Sequence, residues 1–146
     1  MSSRIRQFIL KANAAYLGAF AVVSFFVLDV RAIWFSGGPL VAILRGEPAA
    51  GIGFLEAHGL AAIIAFWLWR ASRSMTPERA WHFTGAAVST LLATCNIALW
   101  RIFILCDALM LGYVSTSLHV SFAVLQLLGA TALMRGESNR RAHAVA

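Results

Sequence analysis

The feature that most constrains this fold is a series of four apolar stretches, each long enough to cross a bilayer. They cover roughly residues 9–35, 52–69, 80–104 and 113–134. A membrane-spanning helix needs about 20 apolar residues, because each residue advances it by about 1.5 Å through a hydrocarbon layer about 30 Å thick. The sequence therefore predicts an all-α membrane protein, an antiparallel four-helix transmembrane bundle that forms one integral membrane domain over residues 1–146.

The composition separates this class from soluble proteins. Hydrophobic residues make up 60% of the chain and charged residues only 12%, whereas a soluble domain of this size needs a far more polar surface. The net charge of +6 would favour nucleic-acid binding in a soluble protein. Here most basic residues lie at the ends of the apolar stretches, so membrane orientation explains them and no nucleic-acid partner is predicted.

The distribution of Lys and Arg predicts the membrane topology. Nine of these residues lie near the termini or in the loop between the second and third stretches: Arg4, Arg6, Lys11, Arg70, Arg73, Arg79, Arg135, Arg140 and Arg141. Arg31, Arg45 and Arg101 are the three on the other side. Because cytoplasmic loops carry the excess of basic residues, both termini are predicted to be cytoplasmic in a multi-pass protein of the plasma (inner) membrane.

One local motif predicts where the third helix begins. Thr76 is a good capping residue, Pro77 suits the first helical position, and Glu78 places an acid near the positive end of the helix dipole. We therefore expect a helix to start at this point.

Small residues at helical spacing indicate which polar side chains point into the bundle. His58 shares a helical face with Ala61 and Ala65, and His119 shares one with Ser115 and Ala130. Both histidines are predicted to lie at a similar depth below the outer surface, and we expect their rings to meet inside the protein.

The first and third stretches show the same pattern. Asp29 follows Gly18, Ala21 and Phe25 on one face, and Asn96 lies between Ala93 and Trp100 on another. Each polar group at a helix centre costs roughly 2.5 kcal/mol or more in the bilayer. Since four helices carry such groups on compatible faces, the pattern indicates a shared internal site.

The first functional hypothesis is a small membrane enzyme that acts on a lipophilic small molecule. His58 and His119 would be the catalytic acid and base, because imidazole titrates near neutral pH, and Asp29 would orient or charge-balance one of them. The substrate would be bound by Asn96, Trp100, Phe103, Phe122 and Gln126. Isomerisation, cyclisation or hydration would suit this set, which requires no cofactor and includes no metal site.

Two other hypotheses stay open at this point. In a b-type cytochrome or quinone-reactive redox subunit, His58 and His119 would ligate haem b, with Arg31 and Arg101 on its propionates. In a non-enzymatic subunit or small transporter, the polar stripes would only hold the helices together. Any of these proteins could be a homo-oligomer or part of a larger membrane complex. His82, beside Trp81, is predicted to be an interfacial residue.

Overall fold

The computed structural model describes residues 1–73 and 79–145 of the chain, with side chains described as far as residue 133. This part of the protein is helical and contains no β-strand. The predicted helix start at Thr76, Pro77 and Glu78 lies outside the described residues.

Three helical units are long and apolar enough to cross a membrane, and they cover Ser3–Phe35, Ala50–Ser72 and Leu109–Leu133. The first unit is made of three consecutive pieces: α1 (Ser3–Ser24), a π-helical segment (Phe25–Val30) and α2 (Arg31–Phe35). The remaining helices are α3 (Val41–Gly46), α4 (Ala50–Ser72), α5 (Arg79–Ala98), α6 (Trp100–Leu105) and α7 (Leu109–Val145). The protein is thus an all-helical membrane protein with at least three helices able to span a bilayer.

The third predicted stretch differs from the structure in one respect. The sequence predicts a single helix over residues 80–104, but α5 ends at Ala98 and α6 begins at Trp100. Leu99, between them, has φ −102° and ψ 25°, which lies outside the α-helical region. Apolarity continues through this break, so hydropathy alone gives no sign of it.

The first of two antiparallel helix pairs consists of α1 and α4. Gly18 lies so close to α4 that a Cβ atom on it would be 3.3 Å from the Cβ atom of Ala65. Leu17 and Ala21 pack with Ala61 and Ala65 in a buried cluster. Small side chains let helix backbones approach closely in lipid, where packing rather than the hydrophobic effect holds helices together.

The second antiparallel pair consists of α5 and α7. Gly85 faces the side chain of Gln126, and Gly129 faces the ring of His82. The pairs meet where Tyr16 of α1 contacts α7 through Phe122, with ring centroids 5.5 Å apart. We call the end at which α1 and α5 begin the N-terminal end, and the opposite end, with residues 36–49 and 106–108, the loop end.

The π-helical segment is visible in the spacing of the buried residues. Ser24 and Asp29 are both buried and lie five residues apart, whereas a regular α-helix repeats a face after three or four residues. The wider turn therefore places Asp29, rather than Leu28, on the face that meets α4. The first unit ends at Ser36, which has a positive φ of 49° as the C-cap of α2.

Candidate functional site

The most direct polar contact between helices joins Asp29 and His58 at the loop end. The distance between His58 Nδ1 and Asp29 Oδ2 is 2.6 Å. A carboxylate oxygen accepts and an imidazole N–H donates, so His58 Nδ1–H donates to Asp29 Oδ2, and His58 Nε2 takes no part in this contact. The Asp29 side chain is fully buried, while that of His58 keeps 18% of its surface accessible. The pair therefore has a fixed, buried half and a half that another molecule can reach.

Asp29 also has hydrogen-bonding capacity that the protein does not use. Its second oxygen, Oδ1, is buried and has no hydrogen-bond partner. Buried polar atoms are nearly always paired, and the exceptions often mark sites where a ligand or water completes the bonding. The carboxylate lies in the π-helical segment, and such segments are frequent at functional sites.

The structure places His119 in a different environment. Its ring is 4% exposed and lies edge-on against Tyr16, with ring centroids 5.4 Å apart. His58 contacts Asp29 and His119 contacts Tyr16, so the two imidazoles meet α1 at positions thirteen residues apart. That separation is roughly 15–20 Å along a helix. The predicted meeting of His58 and His119 is therefore wrong, because equal distance from two helix starts does not fix equal depth.

This separation also argues against the haem interpretation. Two axial histidines of one haem must approach the same iron atom from opposite sides. His58 and His119 contact α1 at positions too far apart along its axis to do so. The predicted propionate partners, Arg31 and Arg101, are both exposed.

A central polar cluster joins α1, α5 and α7 near His119. Asn96 Nδ2 donates to Ser115 Oγ at 3.1 Å, and the Tyr16 hydroxyl donates to the Ser115 carbonyl at 3.5 Å. The Tyr16 ring stacks on Phe122. Two of the residues predicted to bind substrate, Asn96 and Phe122, are thus brought together with His119, and Tyr16 is a member that sequence reasoning missed.

The remaining predicted aromatic residues lie next to the break between α5 and α6. Trp100 contacts Phe103 at 5.5 Å and Tyr113 at 4.8 Å between ring centroids. Phe103 also packs directly onto Gly112, where a Cβ atom would come within 2.8 Å of the ring. These rings form an apolar wall at the loop end of α5, α6 and α7.

Gln126 belongs to a second buried pair rather than to the site at the loop end. His82 Nδ1 lies 2.6 Å from Gln126 Oε1, and both side chains are fully buried. The prediction of an interfacial His82 is therefore wrong, because the ring points into the bundle. The sequence contains a signal for this position, since His82 shares a face with Gly85, Ala86 and Ser89.

An apolar groove of about 500 Å³ lies on the outside of α5 and α7. Its lining consists of Phe83, Ala86, Ala87, Thr90, Leu91, Thr94 and Leu127. None of these is a predicted site residue, so the groove is separate from the polar contacts described above.

Comparison with known proteins adds no constraint to this geometry. No protein-family model, no curated protein and no solved structure matches the chain.

Proposed function

We propose that the chain is a small integral membrane enzyme in which Asp29 and His58 carry out acid/base chemistry on a lipophilic small molecule. The observation that carries this proposal is the 2.6 Å contact between a fully buried carboxylate and a partly accessible imidazole. A carboxylate on Nδ1 fixes the ring orientation and stabilises the imidazolium that forms when Nε2 takes a proton. His58 is therefore the proton-transferring group and Asp29 its positioning partner.

The class of reaction follows from what an imidazole and a carboxylate can catalyse by proton transfer alone. A single acid/base residue can move a proton between two positions of a substrate, as in isomerisation, or protonate a double bond to start cyclisation or hydration. The unpaired Asp29 Oδ1 can accept a hydrogen bond from a hydroxyl group of the substrate or from water. The substrate reaches His58 from the bilayer, and Trp100 and Phe103 supply apolar surface at the same end of the bundle.

The proposed arrangement in the membrane has four spans. With 20 residues, α5 is about 30 Å long and matches the hydrocarbon thickness, and it lies antiparallel to α7 over its length. Four spans place both termini on one side, and the distribution of Lys and Arg makes that side the cytoplasm of an inner-membrane protein.

Deuterium exchange tests the proposed chemistry without knowledge of the substrate. The purified protein is incubated in D2O with a total lipid extract of its host membrane, and the lipophilic compounds are analysed by mass spectrometry. Alkene hydration and proton-initiated cyclisation place a solvent-derived proton on carbon, and isomerisation does so because the partly accessible His58 exchanges its proton with solvent. We expect the wild type to label at least one compound, and His58→Gln and Asp29→Asn to lose that labelling.

Glu56→Gln is the matched control, because Glu56 is an exposed acid two residues from His58 on the same helix. It should label like the wild type. Absence of labelling by the wild-type protein, or equal labelling by all four proteins, would refute the proposal and favour a non-enzymatic membrane subunit.

A further inference from the structure

The N-terminal end of the bundle contains a second concentration of polar groups, which the proposed enzyme site does not use. Four buried side-chain nitrogens there have no hydrogen-bond partner: Arg6 Nε, Asn13 Nδ2, His82 Nε2 and Gln126 Nε2. Three of these residues, Asn13, His82 and Gln126, are at least 98% buried. An unpaired polar group in the interior carries a desolvation penalty, so a cluster of them calls for a partner outside the described chain.

One contact and the helical spacing place the four residues at the same end of the bundle. His82 bonds Gln126 directly, and Arg6 lies seven residues before Asn13 on the same face of α1. Asn13 lies one turn from Tyr16 toward the N-terminal end of α1, and Gln126 lies one turn from Phe122 in the same direction on α7. Because Tyr16 stacks on Phe122, Asn13 and Gln126 are at the same level of the bundle.

The charge of this end is not balanced by the acids that the structure describes. The described acidic side chains, Asp29, Glu47, Glu56 and Asp107, lie at the loop end or in its loops. Arg6, Asn13 and Gln126 therefore present N–H groups and one full positive charge with no described acid beside them, whereas His82 Nε2 is an acceptor, because Nδ1 of the neutral ring donates to Gln126. The group that would satisfy the donors is an oxygen acceptor with negative charge.

We propose that Arg6, Asn13 and Gln126 donate hydrogen bonds to a bound phosphate group, and that His82 orients the Gln126 amide by donating to its oxygen. The donors come from α1 and α7, and phosphate offers them four tetrahedrally arranged oxygens, whereas a carboxylate offers two coplanar oxygens. Arg6 is half-buried and its Nη1 donates to the Met1 carbonyl at 2.9 Å, so the site opens at the protein's N-terminal edge. The phosphate comes from an anionic lipid headgroup of the adjacent leaflet or from solution.

Thermal unfolding of the whole purified protein tests this site. One arm adds inorganic phosphate to protein in a neutral detergent. The other compares nanodiscs of phosphatidylcholine alone with nanodiscs that also contain phosphatidylglycerol. A ligand that binds only the folded state raises Tm, by roughly 5 °C at about a hundredfold excess over Kd. A rise in the first arm identifies free phosphate as a ligand, and a rise only in the second identifies the lipid headgroup.

Arg6→Gln and Asn13→Leu should abolish the rise, and Arg4→Gln should retain it. Arg4 is exposed two residues away on the same helix, so its loss reduces non-specific attraction to anionic lipid by the same single charge. Asn13→Leu without ligand should fold at least as stably as the wild type, because it removes an unpaired buried amide.

Two results would overturn the proposal. One is the absence of any rise in Tm for the wild type in both arms, which would leave buried water as the partner of the four nitrogens. The other is an equal rise in the wild type and Asn13→Leu, which would assign the effect to general surface charge.

Discussion

Two histidines in this protein make the same contact at opposite ends and with different partners. At the loop end His58 meets a carboxylate, and at the N-terminal end His82 meets an amide, each at 2.6 Å through Nδ1. The first pair can hold charge and keeps one edge accessible, while the second is neutral and fully enclosed. The comparison shows that burial of an imidazole identifies an inward face, whereas its partner decides what chemistry it can perform.

The same substitution at both histidines gives the largest expected effect. His58→Leu should cost about 3–5 kcal/mol of the free energy of unfolding, because it leaves the buried Asp29 carboxylate without its partner. His82→Leu should cost about 1–3 kcal/mol, since the group left behind is the uncharged amide of Gln126. Denaturant titrations in detergent measure both losses. Equal losses would mean that Asp29 is uncharged in the folded protein.

A methyl group added at Gly129 tests how tightly the pair of His82 and Gln126 is enclosed. A Cβ atom at Gly129 would lie 2.6 Å from His82 Nδ1. Gly129→Ala should therefore cost about 1–3 kcal/mol through overpacking. Gly59→Ala is the control, because a Cβ atom there meets nothing within 4 Å and alanine favours the helix. The same denaturant titration applies. A stable Gly129→Ala protein would show that His82 can move aside.

The smallest expected effect is the departure of a double variant from the sum of its two single losses in the free energy of unfolding. It tests whether the two ends act independently. Asp29→Asn and His82→Leu change residues at opposite ends of the bundle, and distant sites with no shared partner usually add within about 0.5 kcal/mol. The double variant should lose the sum of the two single losses within that margin. A larger discrepancy, measured by the same titrations, would show that the ends communicate through Tyr16 and its neighbours.

Periodicity in the sequence predicted which faces point inward. Ala61, Ala65, Ser115 and Ala130 are all buried, and so are Asp29 and His119 on their stripes. This succeeded because small residues on one face of a membrane helix have few uses other than close packing. The same reasoning predicted that Asp29 supports one of the two histidines, and in the structure Asp29 contacts His58.

The depth of each histidine along the bundle and the identity of its partner could not be predicted from the stripes of small residues. His58 and His119 lie at similar distances from the starts of their helices. Their contacts on α1, Asp29 and Tyr16, are nevertheless thirteen residues apart, because each helix pair sets its own register. His82 was assigned to the membrane interface because it lies near a helix start, yet its ring is buried under Gly129. Such registers depend on contacts between helices distant in sequence, which single-helix patterns do not contain.

The wide turn between Ser24 and Asp29 has a consequence for insertions and deletions. Removing one residue from an ordinary membrane helix rotates everything beyond it by about 100° and turns its inward face away. Here the shortened interval would be four residues, the regular α-helical repeat, and the carboxylate would still face α4. We therefore expect deletion of the exposed Val27 to leave the protein folded, whereas deletion of Val22 should abolish folding. Circular dichroism and size-exclusion chromatography distinguish these outcomes. The first span therefore has room to lose one residue next to Asp29, but not between Asp29 and its N-terminal end.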